Sequence, residues 1–151
     1  MTPTDTAALT CEVHIEAEPE TVFEFFTDPD KMIQWKGRSA ELDPRPGGVY
    51  RVDVTGEHVA RGEYVELDPP RRVVFTWGWE GAEAAVPPGS STVEITLTAQ
   101  GSGTLVRLEH RDLPEAERVP HGHGWDHYMA RLEIAGAGGD AGPDHGPQGM
   151  D

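Results

Sequence analysis

One cysteine, few cations and no long apolar run set the first limits on this chain of 151 residues. Cys11 has no second cysteine to pair with, so packing rather than an internal disulfide must hold the fold, and a reducing compartment is expected. Lys and Arg number 12 against 27 Asp and Glu, a formal net charge of −15. Cations that scarce cannot be gathered into a face against such a field, which argues against nucleic acid and anionic membrane surfaces as partners. No apolar stretch approaches the ~20 residues of a membrane helix. Met1 leads into the polar Thr2-Pro3-Thr4-Asp5-Thr6 rather than a charged and then apolar leader, so a cytoplasmic protein without membrane insertion is expected. There is no Gly-x-Ser-x-Gly elbow and no glycine-rich phosphate loop, and Gly101-Ser102-Gly103 reads as a hairpin turn. No cofactor is implied.

What is present fits one domain. The periodic part runs from 11 to 135, and the stretches 1–10 and 136–151, rich in Gly, Pro, Thr and Asp with little to bury, read as tails. Cys11, Val13, Ile15 and Ala17 alternate with Glu12, His14 and Glu16, the period of a half-buried strand. Pro19 then opens a helix that puts Val22, Phe23 and Phe26 on one face, and Asp28-Pro29 ends it and caps a second short helix reaching Trp35. From Ala40 onward, strands separated by turn residues follow one another. Asp43-Pro44-Arg45-Pro46-Gly47-Gly48, Thr55-Gly56-Glu57, Asp68-Pro69-Pro70-Arg71, Pro87-Pro88-Gly89-Ser90 and Gln100-Gly101-Ser102-Gly103 are the turns. The period lengthens again at Trp125, Tyr128, Met129 and Leu132, one face of a closing helix. This order predicts an α+β protein: a curved antiparallel sheet, two short helices after its first strand, and a C-terminal helix over one face with a cavity beneath.

Three stretches carry a family resemblance. Asp43 to Tyr50, the run Gly62-Glu63-Tyr64-Val65-Glu66-Leu67-Asp68-Pro69-Pro70-Arg71-Arg72-Val73-Val74-Phe75-Thr76-Trp77, and Gly124-Trp125-Asp126-His127-Tyr128 occur in that order. Together the chain resembles the bacterial homologues of the activator of heat-shock protein 90 ATPase, in the START/SRPBCC superfamily, whose helix-grip fold is shared with the birch-pollen allergen. The resemblance implies a sheet gripping the last helix around a hydrophobic cavity. It leaves the function open, because members bind lipids, sterols or polyketides, a few are enzymes, and the namesake stimulates a chaperone.

The aromatic side chains Trp35, Tyr50, Phe75, Trp77, Trp125 and Tyr128, with Met129, are expected to converge from the second helix, the middle strands and the last helix on a site for a small hydrophobic ligand. Strand alternation turns His110 inward with Val106 and Leu108, as a core histidine bonded to Tyr128 or a carbonyl, or as a group reaching ligand. His121 is placed at the cavity mouth. His123 and His127 have the i, i+4 spacing of metal ligands, but Gly122 and Gly124 put the helix start near Trp125, and no metal is expected. Unbroken alternation would point Glu63 or Glu66 inward, with Arg61 or Arg107 as ion-pair partner. Three functions stand on this: binding of an aromatic, polyketide-like or lipid-like molecule; acid–base catalysis on it by His110 with Tyr128 or an inward Glu; and a co-chaperone role. A monomer or homodimer is compatible with each. The −15 charge disfavours an anionic guest at long range and favours a neutral or cationic one.

Overall fold

The computed structural model describes residues 8–54, 58–81 and 86–142. The Thr55-Gly56-Glu57 turn and the terminal stretches 1–7 and 143–151 lie outside the described residues. Strand β1 (Ala8–Ile15) leads into helices α1 (Pro19–Glu24) and α2 (Pro29–Met32). Strands β2 (Ser39–Leu42), β3 (Val49–Asp53), β4 (Val59–Asp68), β5 (Arg72–Trp77), β6 (Ser91–Gln100) and β7 (Gly103–Arg111) follow, and helix α3 (Glu115–Gly136) closes the chain. The strands form one curved antiparallel sheet in the order β1-β7-β6-β5-β4-β3-β2, the α+β helix-grip arrangement. Sequential hairpins build six of its strands, while β1 pairs with the strand most remote in sequence, Ala8 opposite Arg111 and Ile15 opposite Thr104.

Local chemistry explains the short helices. Pro19 and Pro29 stand in first turns, where a missing N–H costs nothing, and the Asp28 side chain accepts from Asp30 N at 2.9 Å. Trp35 Nε1 donates to the Phe25 carbonyl (3.0 Å) and Tyr64 Oη to the Phe26 carbonyl (2.7 Å), so two aromatic side chains satisfy the carbonyls at the end of α1 and pin it over the sheet.

The closing helix begins ten residues before Trp125, where the glycines had suggested its start. Pro120, Gly122 and Gly124 all lie inside it, so packing overrides poor local propensity there. Trp125, Tyr128, Met129, Arg131, Leu132, Ala135 and Gly136 form its buried face. At Gly136 a Cβ would lie 2.9 Å from Ile15 Cγ2, which lets the helix approach β1 closely. Strand β1 starts at Ala8 and α3 ends at Gly136, so residues 8–10 and Gly136 of the stretches read as tails lie in these two elements. From within α3, Arg131 donates from Nε to the Trp35 carbonyl (2.9 Å) and from its other nitrogens to the carbonyls of Ala141 and Gly142, tying the segment after the helix to the stretch that follows α2.

One irregularity matters for the site. The β4–β5 register shifts between Tyr64 and Glu66, so Tyr64 faces the core while Val65 and Glu66 are both exposed. Alternation is therefore broken, and neither Glu63 nor Glu66 points inward: both are exposed, and Glu66 pairs with Arg72 at 3.5 Å. Arg61 reaches Glu80 (3.7 Å) and Arg107 reaches Glu12 (3.6 Å), as surface pairs. Gly62 sits beside this bulge, where a Cβ would lie 1.8 Å from the Thr76 carbonyl oxygen. Gly62→Ala should thus force the β4 and β5 backbones apart and lower stability by about 2 kcal/mol or more, read as a fall in the urea midpoint at unchanged m-value.

Candidate functional site

The predicted aromatic set divides into two groups. Tyr50 stacks on Phe75 (centroids 4.1 Å, planes 15° apart), with Tyr64 edge-on to both and Phe26 edge-on to Trp35 at 5.6 Å. This layer lies under α1 and α2, and its polar tips at Trp35 and Tyr64 are spent on backbone carbonyls. Burial raises the pKa of both the Tyr50 and Tyr64 phenols, so they stay protonated. Met129 is buried in the same continuous core.

The second group joins sheet to α3. Trp77 lies edge-on to Trp79 (4.7 Å), His110 (5.0 Å) and His121 (5.4 Å), and 6.2 Å from Trp125. The Lys36 ammonium stands 4.0 Å from the centre of the Trp125 ring, 5.5 Å from that of Trp77 and 5.6 Å from that of Tyr128, with the residue only 2% exposed. An ammonium among three aromatic rings exchanges part of its hydration for cation–π attraction. Of the sequence candidates, the structure thus brings together Trp77, His110, His121, Trp125 and Tyr128, and it adds Lys36, Trp79 and Ser91. Lys36 carried only a weak signal, that the chain's lysines are just Lys31 and Lys36.

Hydrogen bonds fix both imidazoles. Trp125 Nε1 donates to His110 Nδ1 at 3.0 Å, while His110 Nε2 lies 2.8 Å from Ser91 Oγ. Ser91 Oγ donates in turn to the Trp77 carbonyl (2.7 Å), so the shared proton on the other side belongs to His110 Nε2. His121 mirrors this: Trp79 Nε1 donates to its Nε2 (3.0 Å), and its Nδ1 donates to the Glu117 carbonyl (2.8 Å). Each histidine is neutral, in a tautomer set by an indole N–H. The His110 pKa is pushed down to about 3 by burial first, then by His121 and Lys36 nearby. Burial likewise lowers that of His121, opposed by its contacts to Glu117. His110 is bonded to Trp125 and Ser91, not to Tyr128 or a carbonyl, and in this arrangement neither of its nitrogens is open to a substrate proton.

Other candidates lie outside the cluster. His123 is exposed, and His127 stacks edge-on to Tyr128 at 4.7 Å. With α3 starting at Glu115 they do share a helix face, and among the described residues no group of three or more His, Cys, Asp or Glu could hold a metal. Cys11 is half-buried against Asp126 (3.6 Å), and burial with that carboxylate pushes its thiol up to about 12, leaving it a poor nucleophile. A groove of about 380 Å³ lined by Val49, Arg61, Glu63, Thr76 and loop residues lies on the outer face of the sheet, away from the aromatic cluster. No described helix is long and apolar enough to cross a membrane.

The sequence model of the activator of Hsp90 ATPase homolog 1-like proteins matches residues 16–136. The chain belongs to that family. An AHSA1-like protein from Rhizobium etli, known from a solution structure, is 48% identical over 91% of this chain and 86% of its own, with a TM-score of 0.72. DynU16, from the dynemicin biosynthetic locus, is 25% identical over 91% of this chain with a TM-score of 0.78, and this AHSA1-like chain spans 50% of its length. An HSP90 activator from Plasmodium falciparum, 22% identical over 85% of this chain and 95% of its own, shares the fold with a TM-score of 0.68. No curated protein matches the chain in sequence.

The neutral histidines give this family member a pH dependence of known sign. With the folded pKa of His110 held below the unfolded value near 6.5, the unfolded chain takes up a proton that the folded one refuses. Stability is complete above about pH 6.5 and falls as the pH drops toward 3, by up to about 1.4 kcal/mol per unit. His110→Asn keeps an acceptor for Trp125 but does not titrate, and should flatten the slope of stability against pH between 6.5 and 4.5 relative to the parent. Ser91→Ala strands the His110 Nε2 proton and should cost about 1–3 kcal/mol at neutral pH. Denaturant titrations at several pH values measure both.

Proposed function

We propose that the protein binds a small hydrophobic molecule, aromatic or polyketide-like, between the sheet and α3 at the cluster of Trp77, Trp125, Tyr128, His110, His121 and Lys36. The observation that carries this reading is where polar groups are buried. A core that only stabilises is served best by Leu, Ile and Val; here an ammonium, the His110 imidazole and a serine hydroxyl are buried, with the half-buried His121 beside them, among aromatic rings, the composition of a site that orients a guest. The resemblance to DynU16, from a biosynthetic locus for a small molecule, agrees with it. Catalysis by His110 has less support, because both of its nitrogens are engaged within the protein.

Access to the cluster runs past the first half of α3. His121 projects from that half to close the cluster's edge against Trp79. Pro120 removes a helical N–H and Gly122 and Gly124 favour the unfolded chain, together weakening the segment by several kcal/mol, at about 3 for Pro and 1 for each Gly. This half opens and the Trp125 half stays on the sheet.

Two measurements test the reading. A thermal-shift and native mass-spectrometry screen of aromatic polyketides, sterols and lipids should yield a one-to-one complex that raises Tm by a few degrees. Amides of residues 115–124 should exchange hydrogen faster than those of 125–136 and slow on binding. A screen in which no compound shifts Tm or survives as a complex, with uniform exchange along α3, would sink the reading.

A further inference from the structure

Two indole–imidazole bonds of the same chemistry tie α3 to the sheet, one in each half of the helix. In the second half Trp125 Nε1 donates to His110 Nδ1 on β7; in the first, Trp79 Nε1, bridged to β4 at Ala60, donates to His121 Nε2 at 3.0 Å. The halves differ in what else holds them. Every buried residue of α3 lies at Trp125 or beyond, and residues 115–124 contribute none. Among the described residues the Trp79 bond is the one side-chain hydrogen bond that joins this first half to the sheet, and Pro120, Gly122 and Gly124 weaken its helix.

That bond cannot survive a proton on the imidazole. Nε2 accepts from Trp79, and Nδ1 already donates to the Glu117 carbonyl at 2.8 Å. A proton added at Nε2 therefore sets one N–H against another, and the indole loses its acceptor.

The charged and titratable groups around His121 fix the sign. Glu117 Oε1, 3.6 Å from Nδ1, attracts an imidazolium, but it stands on the same helix and moves with His121, so its pull does not choose between a docked and a released turn. From other elements His121 faces the Trp77 and Trp79 rings, the neutral His110 ring on β7 at 6.0 Å, and the Lys36 ammonium, which repels a second cation. His58, ahead of β4, is edge-on to Trp79 at 6.0 Å. Burial first, with Lys36 adding to it against Glu117, holds docked His121 below the ordinary imidazole value near 6.5. The released form thus binds the proton better, and docking is complete above about pH 6.5 and lost as the pH falls. His110 is held down to about 3, so the Trp125 bond outlasts the Trp79 bond.

We propose that His121 is an acid-operated latch: proton uptake at Nε2 breaks the bond from Trp79 and releases residues 115–124 from the sheet, with Gly122 and Gly124 as the hinge and Trp125 as the fixed point. This rests on the opening of that half proposed above and supplies its trigger, and it needs no guest.

Hydrogen exchange of the full chain at pH 7.5 and pH 5.0, corrected for the intrinsic pH dependence of exchange and labelled briefly enough that the core stays protected, tests the latch. Amides of 115–124 should lose protection about tenfold at pH 5.0, since one proton gives at most tenfold per unit, while 125–136 stay protected. His121→Gln, whose amide oxygen can accept from Trp79 and which does not titrate, should show no such loss, and His58→Gln should show the parent's. Trp79→Phe, with no donor to lose, should exchange fast over 115–124 at both pH values. Exposure of 125–136 in step with 115–124, a loss that persists in His121→Gln or vanishes in His58→Gln, or no loss in the parent overturns the latch. In that last case fast exchange of 115–124 at both pH values leaves the opening itself standing, and uniform protection along α3 at both removes the opening as well. Should His121→Gln fail to fold, the Trp79 indole N–H resonance of the ¹⁵N-labelled parent decides: it should shift with the midpoint of the His121 ring, and a signal that stays in place while His121 titrates overturns the proposal.

Discussion

The indole N–H of Trp125 reaches across from α3 to His110 Nδ1 on β7, and the polar interior of the protein depends on the direction of that bond. A donor on one nitrogen forces the proton onto the other, which must then find an acceptor in Ser91. Ser91, having accepted, donates to the carbonyl at the end of β5. One helix residue thereby orients groups on three adjacent strands. Networks of this kind are worth most when every member is satisfied, and they tolerate no slip of register, because moving β7 by one residue would turn His110 to the solvent.

The two aromatic layers differ in how their polar tips are used. Under α1 and α2, Trp35 and Tyr64 answer carbonyls that the helix end leaves open, so their chemistry is consumed by the fold. Beneath α3 the tips answer one another, indole to imidazole twice over, and a cation stands among the rings. The first layer makes a base on which the sheet is rigid. The second ties the sheet to α3, because its partners sit on separate elements.

Much of this was legible in the sequence. The alternation of Val73, Phe75 and Trp77, and of Val106, Leu108 and His110, was sufficient to aim each side chain inward, because a strand has a fixed period. Three features were not legible, each for a physical reason. The start of α3 was hidden because propensity is a local quantity, and Pro120, Gly122 and Gly124 are held helical by contacts made elsewhere. The exposure of Glu66 follows from a register shift that is a property of two paired strands, not of one. Lys36 follows Trp35 in a segment with no period to read, and only its meeting with Trp77, Trp125 and Tyr128 gives it meaning.

The pairing of β1 with β7 has a consequence in time. Among the described strands β1 is synthesised first and finds its neighbour last, since Ala8 cannot bond across to Arg111 until β7 has emerged. Closure of so long a loop is entropically costly and favours slow folding. The hairpins from β2 to β7 can form as they emerge, while β1, and with it the seat of α3, is added at the end. The aromatic cluster between sheet and helix is thus the last of the described parts to be assembled, because β1 and α3 close on the sheet after its hairpins.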